Sequence, residues 1–184
     1  HQSAEYTTSA FKWADNKLTI AKAGVLNIRF SRTIPKTAKV TTVTVSKDTA
    51  GRYFVSMLCT DEVQAKPAAQ AKVGIDLGLT HFAILSTGEK IASPKAFAAN
   101  EKKLAKAQRV LAKKQKGSAN RKKAKLKVAR LHAKIADTRK DFLHKLSTRL
   151  VNENQVIAIE TLAVSNMQKN RCLAKSISDA GWSE

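Results

Sequence analysis

The rhythm of apolar and polar residues changes twice along the chain. From Phe11 to Asp61, β-branched and aromatic residues partly alternate in four runs: Lys17–Ile20, Val25–Phe30, Val40–Val45 and Tyr53–Leu58. That is the pattern of half-buried strands. Turn formers separate them at Ala14-Asp15-Asn16, Ala23-Gly24 and Asp48-Thr49-Ala50-Gly51. Several short strands in close succession predict a small antiparallel barrel or sheet. Residues 1–10 carry little pattern and read as a frayed end. Glu62–Lys72 is poor in large apolar residues and contains Pro67. It is expected to be a linker, with one domain over 1–66 and a second over 67–184.

A buried strand follows, Val73-Gly74-Ile75-Asp76-Leu77, with a turn at Gly78. Side chains alternate across a strand, so Val73, Ile75 and Leu77 share one face. Gly74, Asp76 and Gly78 share the other, which is expected to leave room for a metal ion and a phosphate near the backbone. His81–Ser86 and Glu89–Ala92, joined by Thr87-Gly88, complete an antiparallel meander.

From about Phe97 to Val151 proline is absent and the apolar residues take up helical spacing. Leu104, Val110 and Leu111 mark one helix, with a break near Gly117-Ser118-Ala119-Asn120. Leu131, Ile135, Phe142, Leu146 and Leu150 mark the next. Two helices around a short break make a helical hairpin. Val156–Glu160 then reads as another buried strand ending in a carboxylate, and Thr161–Met167 as a loop or helix start. Arg171–Trp182 is the last expected helix, with Leu173, Ile177 and Trp182 packing on the sheet.

Charge sharpens this outline. The 184 residues are 43% apolar, enough for a core, yet carry a formal net charge of +20. Such self-repulsion points to a polyanionic partner, most simply nucleic acid. Residues 101–150 hold 18 Lys or Arg against the acids Glu101, Asp137 and Asp141, a surplus of 15 on the hairpin alone. The hairpin, densest in charge over Arg121–Lys127, is expected to bind phosphates through Lys113, Lys114, Lys116, Arg121, Lys122, Lys123, Lys125, Lys127 and Arg130. Few aromatics lie between these cations, so backbone contact, weakly sequence-specific and salt-dependent, is expected rather than base stacking. The cations of the β-rich part are scattered and suit a solvated surface as well as a shallow nucleic-acid face.

Cys59 and Cys172 belong to no Cys-x-x-Cys pair, so neither a disulfide framework nor a zinc site is implied. No apolar run reaches the roughly 18 residues that span a membrane, and no signal peptide opens the chain. A cytoplasmic, nucleoid-associated place in a prokaryotic cell is the expectation.

The candidate chemistry lies in Asp76 and Glu160, two acids delivered by two buried strands. Three strands, a helical excursion and a strand bearing a second acid form the layout of an RNase H-like fold. Phosphodiester hydrolysis there uses hard oxygen ligands to hold two Mg²⁺ or Mn²⁺ about 4 Å apart. Neither acid is specific by itself. An Ile-Asp-Leu-Gly strand also opens nucleotide-binding folds of the actin type, and Glu160 also suits a helix cap.

Gly74–Leu79 followed by Phe82–Gly88 resembles the start of the RuvC-like nuclease domain of the OrfB/TnpB family, encoded by insertion sequences and similar to type V CRISPR effectors. Ile157–Leu162 with Ser165-Asn166-Met167 resembles that family's second acidic motif, and Ala174–Trp182 the helix after it. The β-rich part resembles the family's oligonucleotide-binding wedge domain. The resemblance implies an RNA-guided, Mg²⁺-dependent DNA endonuclease, also called a transposase in that family, with DNA and a guide RNA as partners. Asp76 and Glu160 would then be two of three metal-binding carboxylates. The family's third is an aspartate beyond a four-cysteine zinc ribbon, and this sequence contains neither. Zinc is expected only in that ribbon. Asp179 lies inside the helix motif and reads as a structural or capping residue. The chain is therefore expected to be a partial copy that cuts weakly or not at all, or a nucleic-acid-binding remnant.

Overall fold

The computed structural model describes every residue except His1, Val63, Gln64, Lys66, Ser183 and Glu184. The fold is mixed α and β. It divides into two compact units, His1–Lys66 and Pro67–Glu184.

The first unit contains two three-stranded antiparallel sheets. Strands β1 (Gln2–Thr7), β5 (Lys39–Lys47) and β6 (Tyr53–Thr60) form one, in the order β1-β5-β6. Strands β2 (Phe11–Ala14), β3 (Lys17–Ile20) and β4 (Gly24–Leu26) form the other. Their inward residues make a common core of Leu18, Ile20, Val40 and Val43, flanked by Tyr6, Phe11, Trp13, Val55 and Met57. Alternation therefore located the main strands.

Two expectations in this unit fail. The expected frayed end is largely a strand: Gln2–Thr7 pairs with β5, Gln2 opposite Lys47 through Thr7 opposite Thr42. This edge strand is held by its backbone ladder while its side chains, Tyr6 excepted, stay exposed, so it leaves no apolar signature. The strand expected over Val25–Phe30 stops at Leu26. Val25 and Phe30 are exposed, and Phe30 meets Trp13 edge-on at 5.6 Å instead of joining a ladder.

The second unit is built on a four-stranded mixed sheet. It comprises β7 (Ala71–Leu77), β8 (Ala83–Leu85), β9 (Lys90–Ile91) and β10 (Asn154–Ile159), in the order β10-β7-β8-β9. The meander is antiparallel, whereas β10 runs parallel to β7, with Ile157 opposite Val73 and Ile159 opposite Ile75. Parallel neighbours need a long crossover, and the helical hairpin supplies it. Because β7 begins at Ala71, the end of the expected linker already belongs to the sheet.

The hairpin consists of α1 (Ala96–Ala112) and α2 (Ala119–Glu153). The break lies slightly earlier than expected, over residues 113–118. Ser118 is the N-cap of α2, its Oγ accepting from the backbone N–H of Arg121 at 3.2 Å. Leu104, Ala107, Ile135 and Val128 pack the two helices together. Val110 is not part of that stripe and is 44% exposed. The buried positions of α1 are Ala96, Asn100, Leu104 and Ala107, and the same period continues to Leu111 rather than to Val110. The far half of α2 covers the sheet: Leu150 with Phe142, Leu143 and Leu146 meets Val73, Phe82, Ala83, Leu85 and Ile91. Phe142 and Phe82 make an edge-to-face contact at 5.0 Å.

Two short helices end the chain, α3 (Val164–Met167) and α4 (Ala174–Ala180). Ile177 is 1% exposed, and Trp182 packs against the sheet core, as its spacing predicts. Leu173 does not, being 42% exposed, because α4 starts one residue after it.

Candidate functional site

Strand β7 brings Asp76 to the exposed side of the sheet while Val73, Ile75 and Leu77 face the core. Parallel pairing then carries β10 alongside, so its end lies beside the end of β7. Glu160, the first residue past β10, leans over the neighbouring strand. The backbone N–H of Leu77 donates to its Oε1 at 3.4 Å. Asp76 and Glu160 consequently line one open groove of about 470 Å³, together with Gly74, Ile84, Ser86 and Ala158. The two acids, 84 positions apart in the chain, share one site because their strands are neighbours.

The floor of this groove differs from the open face expected from the glycines. A Cβ on Gly74 would stand 3.6 Å from Cβ of Ser86, in ordinary contact. Gly78 faces inward on its own loop, where a Cβ would crowd the His81 carbonyl oxygen at 3.1 Å. Gly78 therefore serves the turn after β7, and Gly74 alone keeps the groove floor at backbone level.

Oxygen donors such as Asp76 and Glu160 suit a hard divalent cation, since Mg²⁺ is commonly held by one or two carboxylates, with water and substrate phosphate completing its shell. Among the described residues no group of three or more His, Cys, Asp or Glu side chains is placed to hold a metal ion. The pair fits Mg²⁺ or Mn²⁺ as a partial ligand set.

Asp179 belongs to a different place. Its carboxylate accepts from the backbone N–H groups of Phe97 and Ala98 at the start of α1. That helix begins at Lys95 in a left-handed conformation with no side-chain cap of its own, so α4 supplies the acceptor.

The hairpin cations divide into two kinds. Lys113, Lys114 and Lys116 are exposed on the connection, and Lys122, Lys123, Lys125, Lys127 and Arg130 on α2. Arg121 is half-buried and turns back on the hairpin. Its guanidinium donates to the carbonyls of Leu111 and Lys114 at 3.1 and 2.8 Å, tying the connection after α1 to the start of α2. The charge run marks it as one expected phosphate ligand among nine; in the fold its guanidinium closes the hairpin.

Two features escaped the sequence pattern. Arg149 on α2 grips Glu89 in the β8–β9 turn with both guanidinium nitrogens, at 2.8 and 3.2 Å. Donating these hydrogen bonds to Glu89 raises the Arg149 pKa above its ordinary value. Ser86, the first residue past β8, joins the acidic groove, and its only sequence signal is its place before the Thr87-Gly88 turn.

The family model described as "Probable transposase", of the OrfB type, matches residues 41–171. A protein of Streptomyces pristinaespiralis named "Putative RNA-guided DNA endonuclease" is 60% identical over 183 residues, covering 99% of this chain and 46% of that protein. An Escherichia coli (strain K12) protein named "Putative RNA-guided DNA endonuclease InsQ" is 36% identical over 186 residues, covering 92% and 46%. The chain belongs to the OrfB family of probable transposases. It spans about half the length of the curated relatives it matches.

Proposed function

We propose that this chain is part of an RNA-guided, metal-dependent DNA endonuclease in which Asp76 and Glu160 hold Mg²⁺ or Mn²⁺. The observation that carries this reading is the parallel pairing of β10 with β7, which delivers both acids to one groove. The sheet order β10-β7-β8-β9, with one parallel and two antiparallel junctions, agrees with the first four strands of an RNase H-like core. The names of the two relatives point the same way. A bound divalent ion would supply an activated water and charge stabilisation at the leaving oxygen. The residues of the chain orient it: Asp76 from a strand fixed on both sides, Glu160 against the Leu77 N–H. The exposed cations of the hairpin would hold the nucleic-acid backbone, and the β-rich first unit corresponds to the wedge domain. DNA and guide RNA are the proposed partners.

With two carboxylates in the groove, the chain by itself is expected to cleave weakly or not at all. A second reading, binding without cutting, is favoured by the lack of a third acid beside the pair among the described residues. Cleavage and affinity measured together separate the two. Under the endonuclease reading, Mg²⁺-dependent cleavage, however slow, disappears in Asp76→Asn and Glu160→Gln while nucleic-acid affinity stays within about twofold. Cleavage that survives both substitutions contradicts it. Vigorous cleavage by the unaltered chain, abolished by Asp76→Ala, would show that two acids suffice.

A further inference from the structure

Strand β8 ends at Leu85, yet its ladder with β7 continues for one more residue. The backbone N–H of Ser86 donates to the Gly74 carbonyl at 2.8 Å. The return bond, from the Gly74 N–H, goes to the Ser86 hydroxyl oxygen at 3.0 Å. A backbone carbonyl would ordinarily take that place, but the chain is already turning, with Leu85 N–H donating to Glu89 and Gly88 N–H to Leu85. The side chain therefore stands in for the main chain at the strand end.

This arrangement uses the hydroxyl as an acceptor only. A serine hydroxyl has one donor and two acceptor positions. With one acceptor position occupied by Gly74, the proton is left for a second partner. Ser86 is exposed and lines the same groove as Asp76 and Glu160. Gly74 lies between Ser86 and Asp76 on this face, and its missing side chain leaves a gap at backbone level.

The geometry points to Ser86 as a further substrate-binding residue of the acidic groove: its hydroxyl donates to a non-bridging oxygen of the DNA phosphodiester seated over Gly74. This rests on the metal-site reading of Asp76 and Glu160 and extends it to the substrate. The carboxylates hold the cation, and the cation and Ser86 grip the phosphate from two sides. Holding the Gly74 N–H is a separate, structural duty of the same atom, and the two are separable by experiment.

The probe is a short DNA duplex, and the quantity is the gain in its affinity on adding Mg²⁺, measured for the chain and four variants. Mg²⁺ affinity without DNA is measured in parallel by calorimetry. Ser86→Ala is expected to lose about tenfold of the Mg²⁺-dependent gain, as for one hydrogen bond to a charged group, with Mg²⁺ affinity in the absence of DNA unchanged. Ser86→Thr, which keeps the hydroxyl, restores the gain. Gly74→Ala fits the fold, its Cβ in ordinary contact with the Ser86 side chain, but fills the phosphate gap and loses the gain while the Ser86 hydroxyl is kept. Asp76→Asn abolishes both the gain and the Mg²⁺ binding. A gain lost in Asp76→Asn but intact in Ser86→Ala overturns the role of Ser86 alone. So does a Ser86→Ala variant whose Mg²⁺ affinity falls as far as its DNA affinity, because that is a purely structural effect. A gain absent from the unaltered chain, or surviving Asp76→Asn, overturns the metal-site reading itself.

Discussion

Asp179 accepts a hydrogen bond of 2.7 Å from the backbone N–H of Phe97, across 82 positions of sequence. Its other oxygen takes the N–H of Ala98 at 3.0 Å, so one carboxylate caps two backbone N–H groups in the first turn of α1. Lys175, on the same short helix, adds 2.7 Å bonds to both oxygens of Glu101 and lies over the Phe97 ring. The last helix thus anchors the basic hairpin at its root. Asp179 is only 9% exposed, and removing its carboxylate strands two helix N–H groups. Asp179→Ala is expected to lower stability by about 2 kcal/mol without altering metal affinity, as urea denaturation and Mg²⁺ titration would show. A loss of Mg²⁺ binding at native stability would instead make Asp179 a ligand.

Gly181 ends α4 at φ 74°, and a Cβ there would run into the side chain of Arg139 on α2. Gly181→Ala meets both obstacles. The left-handed backbone alone costs an L-residue about 1–2 kcal/mol, and displacing Arg139 adds to it. A midpoint shift in denaturant at unchanged slope is the expected result.

Asp48 ties the β5–β6 turn to Arg52, whose backbone N–H and Nε donate to it at 2.8 and 2.7 Å. Partial desolvation pushes the Asp48 pKa up, but these two bonds and the guanidinium charge outweigh it and hold the group below its ordinary value of 3.8. A depressed folded pKa contributes stability that is fully present above the unfolded value and is lost as pH falls through the folded one. Asp48→Asn is therefore expected to melt below the unaltered chain near neutral pH. That difference should close as the pH drops beneath 3.8. A gap that stays constant with pH would place the stabilisation outside the ion pair.

The proposed phosphate contact by the hairpin would carry a salt signature. Each neutralised phosphate contributes about 0.9 to the slope of log affinity against log salt on duplex DNA. Changing Lys122, Lys123 and Lys125 to Gln is expected to lower that slope by up to about 3 and to weaken binding alike for unrelated sequences. Arg121→Gln should behave differently, because its guanidinium holds the Leu111 and Lys114 carbonyls. Part of its effect appears as lost thermal stability.

Much of the second unit was legible in the sequence because its core residues are periodic. Val73, Ile75 and Leu77 alternate, and Ile135, Phe142, Leu146 and Leu150 recur at helical spacing, so β7 and α2 were found close to their observed bounds. The acids were visible as carboxylates at strand positions. Their meeting in one groove was implied by family likeness, since parallel pairing of β7 with β10 is a long-range choice that neither strand encodes alone. What the pattern missed was carried by backbone or by single polar atoms. The β1 strand buries little apolar surface, and Ser86 acts through one hydroxyl replacing a carbonyl. The Arg121 contact uses a cation that looks like its eight neighbours in the charge run.

The central claim is that Asp76 and Glu160 together hold a divalent cation, and Mn²⁺ titration followed by electron paramagnetic resonance tests it most directly. Free Mn²⁺ gives a sharp six-line signal that is lost on binding, so occupancy is read without any turnover. The expected result is a single weak site, with a dissociation constant of roughly millimolar order for two carboxylates and water. It should disappear in Asp76→Asn and in Glu160→Gln, with the melting temperature of each variant held. Mn²⁺ binding that is unchanged by both substitutions, or absent from the unaltered chain, would contradict the account.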